Sequence, residues 1–211
     1  GFSLLEISIV GGMFGALALL PVLIRNPAWR IQPRDLMLFV GFGLMGVTRA
    51  LLPALRETSG RIVNISSISG LVALPGVSGY AATKFAVEAV TDSLRVELAP
   101  FDVHVCAVEP GSIQTEIWRK GRERDAAHAQ ADEQSEAERL YAPVIKLLRK
   151  LNENPKGIPA EEVADVVADA LTSSNPDNRY LVGKDAKALA LLRKLPDALR
   201  DRLIAARAWR S

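Results

Sequence analysis

The sequence has few of the residues that build disulfides and metal sites. Its 211 residues include one cysteine, Cys106, and two histidines, His104 and His128, that lie far apart along the chain. A single cysteine excludes an intramolecular disulfide and a cysteine-rich zinc site, and the separated histidines argue against a histidine-based metal site. We therefore predict no bound metal, and we expect a reducing, cytoplasmic location.

An excess of charge of one sign is also absent. The chain has 26 basic and 24 acidic residues, which gives a formal net charge of +2. A protein that binds a polyanion strongly needs a clustered basic face. The composition therefore predicts no nucleic-acid partner. The chain length of 211 residues suffices for one domain with its own hydrophobic core.

One long run without charge stands near the start of the chain. Ile7 to Ile24 are 18 consecutive uncharged residues, a length that just reaches the range of a membrane-spanning helix. Three glycines and Pro21 interrupt the run, which favours a buried strand, a glycine turn and a buried helix. Membrane contact by this run stays open but is not favoured. A signal peptide is not favoured either, because no basic region precedes the run.

Short β-branched runs and amphipathic segments alternate along the rest of the chain. The predicted elements are, in order, a helix within 36–56, a strand at 61–67, a helix at 80–98, a strand at 103–108, a helix from Pro159, a strand at 179–183 and a C-terminal helix over 184–210 interrupted at Pro196. This alternation predicts a parallel α/β sheet that binds its ligand outside the carboxyl ends of the strands. Those ends carry Ser66–Ser67 and Pro110–Gly111.

Two segments bear on how the sheet is covered. The apolar positions of the helix at 80–98 predict its buried face: Phe85, Ala86, Ala89, Val90, Leu94 and Leu98. The highly charged segment 115–139 is consistent with a solvated helical excursion or with a lid over a pocket.

A tyrosine and a lysine form a candidate catalytic pair. Tyr80 and Lys84 lie four residues apart, so a helix places both side chains on one face. An ammonium within about 4–6 Å favours the ionised form of a phenol. Tyr80 could then exchange a proton with an alcohol or a carbonyl oxygen, and Ser67 could donate a hydrogen bond to that oxygen. The alternative is a surface Tyr–Lys pair beside a capping serine.

Three motifs follow one another around this pair. Ser67 lies 13 residues before Tyr80, residues 80–84 read YAATK, and residues 110–115 read PGSIQT. Together they resemble the catalytic half of the short-chain dehydrogenase/reductase family, with its YxxxK and PGxxxT motifs. The resemblance covers residues 44–211 and includes features of members that act on retinol- or steroid-like substrates. It implies a Rossmann-like doubly wound parallel sheet.

The resemblance also implies roles for individual residues. Ser67 would polarise the substrate, Tyr80 would act as general acid/base, and Lys84 would assist Tyr80 and bind the nicotinamide ribose. The cofactor-binding set is then Tyr80, Lys84, Pro110, Gly111, Ile113 and Thr115, with no metal. The cofactor would be NAD or NADP, and the substrate a small hydrophobic alcohol or its carbonyl counterpart. In this family the helix at 80–98 and the one before it form dimer contacts, so we expect a homo-oligomer.

Residues 1–43 depart from the family pattern. They are hydrophobic and atypical, and they lack the TGxxxGxG turn that cradles a cofactor pyrophosphate at a helix N-terminus. Val40 stands where the family has a catalytic Asn. We therefore expect a sheet that lacks its first strands, with the catalytic half at 44–211. The alternative function is a catalytically impaired remnant that serves as an interaction or dimerisation module.

Overall fold

A three-stranded parallel sheet organises the fold. The structure is a computed structural model that describes residues 33–114, 136–152 and 157–209. The strands are β1 (Arg61–Ile65), β2 (His104–Pro110) and β3 (Arg179–Val182), and they lie side by side in that order. Both strand pairs are parallel. The predicted parallel α/β sheet is confirmed for the described part of the chain.

Helices follow or precede each strand. The described helices are α1 (Pro33–Glu57), α2 (Ser78–Leu98), α3 (Glu136–Leu140), α4 (Ala142–Asn152), α5 (Ala160–Thr172), α6 (Lys184–Leu192) and α7 (Asp197–Trp209). Short 3-10 helices lie at Ile68–Gly70 and Ala99–Phe101. None of the helices in these ranges has the length and apolar character needed to cross a membrane. The run Ile7–Ile24 and most of the charged segment 115–139 lie outside the described residues.

The first helix is longer than its sequence pattern predicts. α1 runs unbroken from Pro33 to Glu57, although glycines weaken its first half and Pro53 lies inside it. It therefore crosses position 43, and the division of the chain at that position stays a prediction. α1 ends at Glu57, and Ser59 then adopts a left-handed conformation with φ 47° before β1 begins.

Both faces of the sheet are covered by helices. On one face α5 packs across all three strands, and the buried residues there are Val63, Cys106, Val108, Val163, Ala170, Leu171 and Val182. On the other face α1 and α2 bury Leu55, Leu94, Leu98, Val103 and Val105. Two covered faces are typical of parallel sheets and explain the continuous apolar runs of their strands. Burial raises the pKa of the Cys106 thiol to about 11, which keeps it protonated and unreactive.

The helix α2 turns a different face to the core than its apolar residues predict. Phe85 is 44% exposed and Ala89 is exposed, so the burial predicted for these two residues is wrong. Glu88 and Thr91 are buried instead. Thr91 accepts a 2.8 Å hydrogen bond from the Asn64 side chain on β1. Polar partners on the sheet thus fix the rotation of α2, while the burial predicted for the end of the helix is confirmed.

A charged cluster ties α2 to the sheet. The Arg179 guanidinium on β3 donates to Glu88 at 2.5 Å, to Asp92 at 2.6 Å and to Glu109. The Glu109 side chain is 1% exposed and that of Glu88 is 7% exposed. Burial, together with the nearby charge of Glu88, raises the pKa of the Glu109 carboxyl. Arg179 therefore compensates two buried carboxyl groups from different elements.

We expect Arg179→Ala to destabilise the fold strongly. Removing one partner of a buried ion pair typically costs about 3–5 kcal/mol of the free energy of unfolding, because Glu88 and Glu109 lose their cation. The loss shrinks toward acidic pH, because the raised pKa of the Glu109 carboxyl means that this group becomes neutral and no longer needs the cation. Urea unfolding followed by circular dichroism measures it. Arg200→Ala, which removes an ion pair with the exposed Asp197, is the matched control at about 0–1 kcal/mol. Equal losses in both variants would contradict the role given to Arg179.

Candidate active site

The first part of the site lies where β1 ends. Ser66 and Ser67 follow the strand directly, and both are buried. Ser67 caps the 3-10 helix Ile68–Gly70, since its hydroxyl oxygen accepts a 3.1 Å hydrogen bond from the Ser69 amide. The Ser67 hydroxyl proton stays available for a second partner, because the hydroxyl acts there as an acceptor. The capping role proposed as the alternative for this serine is thus real and leaves its donor capacity intact.

The second part of the site comes from the first turns of α2. Tyr80 is 50% exposed, so its phenol is open to solvent. Lys84 lies one turn later, with its Nζ 5.8 Å from the centre of the Tyr80 ring. The same Nζ donates a 3.1 Å hydrogen bond to the backbone oxygen of Ile65, the last residue of β1. Lys84 therefore joins the start of α2 to the strand end that carries Ser67.

The charge of Lys84 depends on its surroundings. Burial lowers the pKa of its ammonium group, and the negative charge of Glu88, one helical turn further along α2, partly opposes this effect. Glu88 itself pairs with Arg179. Through Glu88, the charged cluster around Arg179 therefore influences the pKa of Lys84 in the candidate site.

The third part of the site is the turn after β2. Pro110 ends the strand, and the Gly111 amide donates to the Val182 oxygen at 2.9 Å. The Ser112 amide donates to the Asp185 carboxylate at 2.7 Å. Backbone hydrogen bonds of 2.9 Å join Ser112 and Gln114 to Ile158, and Ile113 forms an isolated bridge with the same residue. The turn is therefore held on both sides, between β3 with α6 and the segment before α5.

The structure brings most of the predicted site residues to one edge of the sheet. Ser67, Tyr80 and Lys84 gather at the end of β1, and Pro110, Gly111 and Ile113 lie at the end of the neighbouring β2. Thr115 lies outside the described residues. Within the described ranges no group of three or more His, Cys, Asp or Glu side chains could hold a metal ion.

Sequence reasoning missed two residues beside the site. Glu88 lies four residues after Lys84, and this helical spacing was a usable signal. Asp185 lies 73 residues from Ser112, and no local pattern connects the two. Asn64 on β1 makes a structural contact, because its side-chain amide donates a hydrogen bond to Thr91.

The site can exchange protons with a bound oxygen atom. It combines an exposed phenol, an ammonium group near the ring and a serine hydroxyl, all close to the end of one strand. A phenol, an ammonium and a hydroxyl can together accept, donate and polarise at a single alcohol or carbonyl oxygen. The place agrees with the general rule that open parallel sheets bind ligands beyond the carboxyl ends of their strands.

Comparisons with known proteins point in one direction. Residues 34–126 match the sequence model of the short chain dehydrogenase family. The chain is 37% identical over 156 residues to the uncharacterized oxidoreductase YusZ of Bacillus subtilis, which covers 73% of this chain and 54% of the relative. It is 38% identical over 173 residues to retinol dehydrogenase 16 of Mus musculus, which covers 77% of this chain and 53% of the relative. The chain thus spans about half the length of the relatives that it matches.

Solved structures of short-chain dehydrogenases are also similar to this chain. A short-chain dehydrogenase from Streptomyces avermitilis is 32% identical with a TM-score of 0.60, over 82% of this chain and 60% of that protein. A short chain dehydrogenase from Burkholderia cenocepacia, solved in complex with NADP, is 30% identical with a TM-score of 0.59, over 84% of this chain and 60% of that protein.

We expect the Lys84 ammonium to titrate below its ordinary value. Its pKa lies below 10.5 because burial disfavours the charged form. Glu88→Gln removes the charge that opposes this effect, so the titration midpoint of Lys84 falls further in that variant. Nitrogen-detected NMR of the lysine ammonium groups measures both midpoints, and Lys84→Arg identifies the resonance. A midpoint at or above 10.5 in the unchanged chain would contradict the prediction.

Proposed function

The chain belongs to the short-chain dehydrogenase/reductase family, and we propose that it acts as an NAD(P)-dependent oxidoreductase. The proposed reaction interconverts a hydrophobic alcohol and its ketone or aldehyde. The observation that carries the proposal is the position of Lys84, which faces the Tyr80 ring while it is bonded to the end of β1. A surface pair without function has no need of a half-buried lysine tied to a strand end.

Proton transfer is the part of the reaction that this chain's residues perform. In the oxidation direction the phenolate oxygen of Tyr80 accepts the proton of a bound alcohol and becomes the hydroxyl, and in the reduction direction that hydroxyl donates its proton to the oxygen of a bound carbonyl compound. The Lys84 ammonium favours the phenolate that forms on Tyr80, because opposite charges at short range attract. The Ser67 hydroxyl donates a hydrogen bond to the same substrate oxygen and holds it near the phenol.

The residues at the strand ends fit the nicotinamide end of a cofactor. NAD or NADP, when bound, supplies or accepts the hydride. Tyr80 and Lys84 would hold the nicotinamide ribose, and the backbone of Gly111 and Ile113 would contact the nicotinamide. The fit rests on the turn after β2, where Ser112 is exposed and Gly111 is half-buried beside the end of β1. Thr115 would complete this set.

The substrate class rests on the relatives. Retinol dehydrogenase 16 of Mus musculus is named for a hydrophobic primary alcohol. A hydrophobic alcohol or its carbonyl counterpart is accordingly the substrate that we propose for this chain. The cytoplasmic location expected from the single cysteine stays a prediction.

A second candidate function is an interaction or dimerisation module. Phe85, Ala89 and Val96 recur at helical spacing on the outer face of α2 and are all exposed, with Val96 at 73%. A row of exposed apolar residues on one helix favours contact with another protein surface. We propose that a second copy of this chain covers it, because the outer face of a helix pairs readily with its own copy around a twofold axis.

Tyr80→Phe tests the proposed enzyme. We expect the variant to bind NADH or NADPH nearly as the unchanged chain does, since Lys84 and the turn after β2 still hold the cofactor. Its rate of alcohol oxidation falls by a factor of about 10²–10⁴, the usual contribution of a positioned acid/base. Nicotinamide fluorescence measures binding, and absorbance of the reduced cofactor measures turnover.

Tyr180→Phe is the matched control for this substitution. Tyr180 is half-buried on β3, and its hydroxyl accepts a 2.8 Å hydrogen bond from the Asp177 amide in the segment before that strand. The substitution keeps the ring and removes only this hydroxyl, so turnover stays within about twofold of the unchanged chain. Turnover retained in Tyr80→Phe would refute Tyr80 as the acid/base. Absence of cofactor binding by the unchanged chain at millimolar concentration would refute the enzyme and leave the interaction module.

Val96→Glu tests self-association. We expect the unchanged chain to be a dimer in solution and the variant to be a monomer, because a carboxylate at the centre of an apolar contact loses its water without gaining a partner. Light scattering coupled to size-exclusion chromatography measures the mass. Leu203→Glu changes an equally apolar residue of α7 that is 47% exposed and leaves the mass unchanged. A dimer that survives Val96→Glu would exclude the outer face of α2 as the contact.

A further inference from the structure

A side chain from α6 holds the turn that follows β2. The Asp185 Oδ2 atom accepts the Ser112 amide hydrogen at 2.7 Å, and its Oδ1 atom accepts the Ala186 amide hydrogen at 2.9 Å. The two carboxylate oxygens thus bind backbone groups of two different segments. Hydrogen bonds to a charged acceptor are roughly twice as strong as those between neutral groups.

Two glycines make room for this carboxylate. A Cβ atom on Gly111 would lie 2.2 Å from Asp185 Oδ1, and one on Gly183 would lie 2.7 Å from the same atom. Gly183 also has φ +100°, a conformation that other residues rarely adopt. The ends of β2 and β3 therefore approach the Asp185 side chain more closely than any larger residue would allow.

The location of Asp185 suits an anion. It lies in the first turn of α6, whose unpaired amide groups carry partial positive charge. The first turn of the helix stabilises the carboxylate, and the carboxylate in turn binds Ser112. This arrangement links the strand β3, the helix α6 and the turn after β2 through one charged group.

We propose that Asp185 is a positioning residue that fixes the Gly111–Ile113 turn in the conformation that receives the nicotinamide ring. The inference rests on the proposed function, which assigns the backbone of Gly111 and Ile113 to the cofactor. Asp185 does not touch the reacting atoms in this proposal. It acts through the amide of Ser112, the residue between Gly111 and Ile113.

Amide hydrogen exchange tests the holding contact without any need for turnover. In Asp185→Ala we expect the Ser112 amide to exchange about tenfold faster, because it loses a charge-assisted hydrogen bond. The amides of β2 at 105–108 keep their protection. Asp185→Asn retains an acceptor oxygen of the same shape and recovers most of the protection at Ser112. Asp201→Ala removes an exposed carboxylate of α7 and changes nothing at Ser112.

Two results would overturn the holding contact. One is a Ser112 exchange rate that is unchanged in Asp185→Ala. The other is an equal acceleration along all of β2, which would show general destabilisation. Should Asp185→Ala fail to fold, Asp185→Ser replaces it, since the shorter side chain cannot span to Ser112 and the same acceleration is expected.

Kinetics test whether the contact serves the cofactor. Asp185→Ala raises the KM for the nicotinamide cofactor by about tenfold and lowers kcat less, whereas Asp185→Asn restores both. Equal KM values for the alanine variant and the unchanged chain, alongside faster Ser112 exchange, would overturn the positioning role. If the unchanged chain binds no cofactor, the proposed function fails, and the exchange of Ser112 still decides whether Asp185 holds the turn.

A double-mutant cycle checks the packing independently. Gly111→Ala lowers the midpoint of thermal unfolding in the unchanged chain, where the new methyl group meets the Asp185 carboxylate. In an Asp185→Ala background the same substitution lowers the midpoint much less, because the colliding group is gone. Additive shifts would contradict the close approach of the two residues.

Discussion

The contact of Arg179 with its carboxylates is the interaction on which the site depends. Glu109 is almost wholly buried on the central strand β2, and Glu88 is nearly as buried on α2. Neither could stay there charged without a cation, since an isolated buried charge costs several kcal/mol, about the stability of a small domain. Arg179 at the start of β3 binds both, and it thereby sets the rotation of α2 against the sheet. Lys84 and Tyr80 lie on the same helix, so their aim at the end of β1 follows from that rotation.

Charged groups recur as anchors of backbone at the edge where the strands end. The Lys84 ammonium binds the last carbonyl of β1, and the Asp185 carboxylate binds the amide of Ser112 after β2. Loops at such an edge lack the regular hydrogen bonding of strands, so side chains have to satisfy and hold their polar groups. Strong, charge-assisted bonds suit this task, because a site must keep its geometry within a fraction of an ångström.

The sequence predicts the order of elements well and the contacts between them less well. Strands and helices depend on local hydrophobic patterns, which is why β1, β2, α2 and α5 lie close to their predicted positions. The exposure of Phe85 was not predictable in this way. The buried face of α2 is set by partners on β1 and β3, which bind Thr91 and Glu88, and these partners lie 27 and 91 residues away. A hydrophobic pattern ranks such polar residues as exposed.

The candidate site shows the same division between local and distant information. Tyr80 and Lys84 could be paired from the sequence, because four residues form one helical turn. Asp185 could not, since only the parallel pairing of β2 with β3 brings the start of α6 to the turn at Gly111. Motif spacing captures residues that act within one element. Residues that position those elements come from the sheet topology, and their identity emerges only once the strands are paired.

One helix connects the two candidate functions. α2 directs Lys84 and Glu88 toward the sheet and Phe85, Ala89 and Val96 toward solvent. A partner bound to the outer face would leave the catalytic face open, because the two sets of side chains lie on different faces of the helix. It would also restrain the helix that carries Tyr80. Self-association and catalysis are therefore compatible in this fold. A chain that had lost turnover would still retain the surface through which it binds its partner, since the residues for the two functions do not overlap.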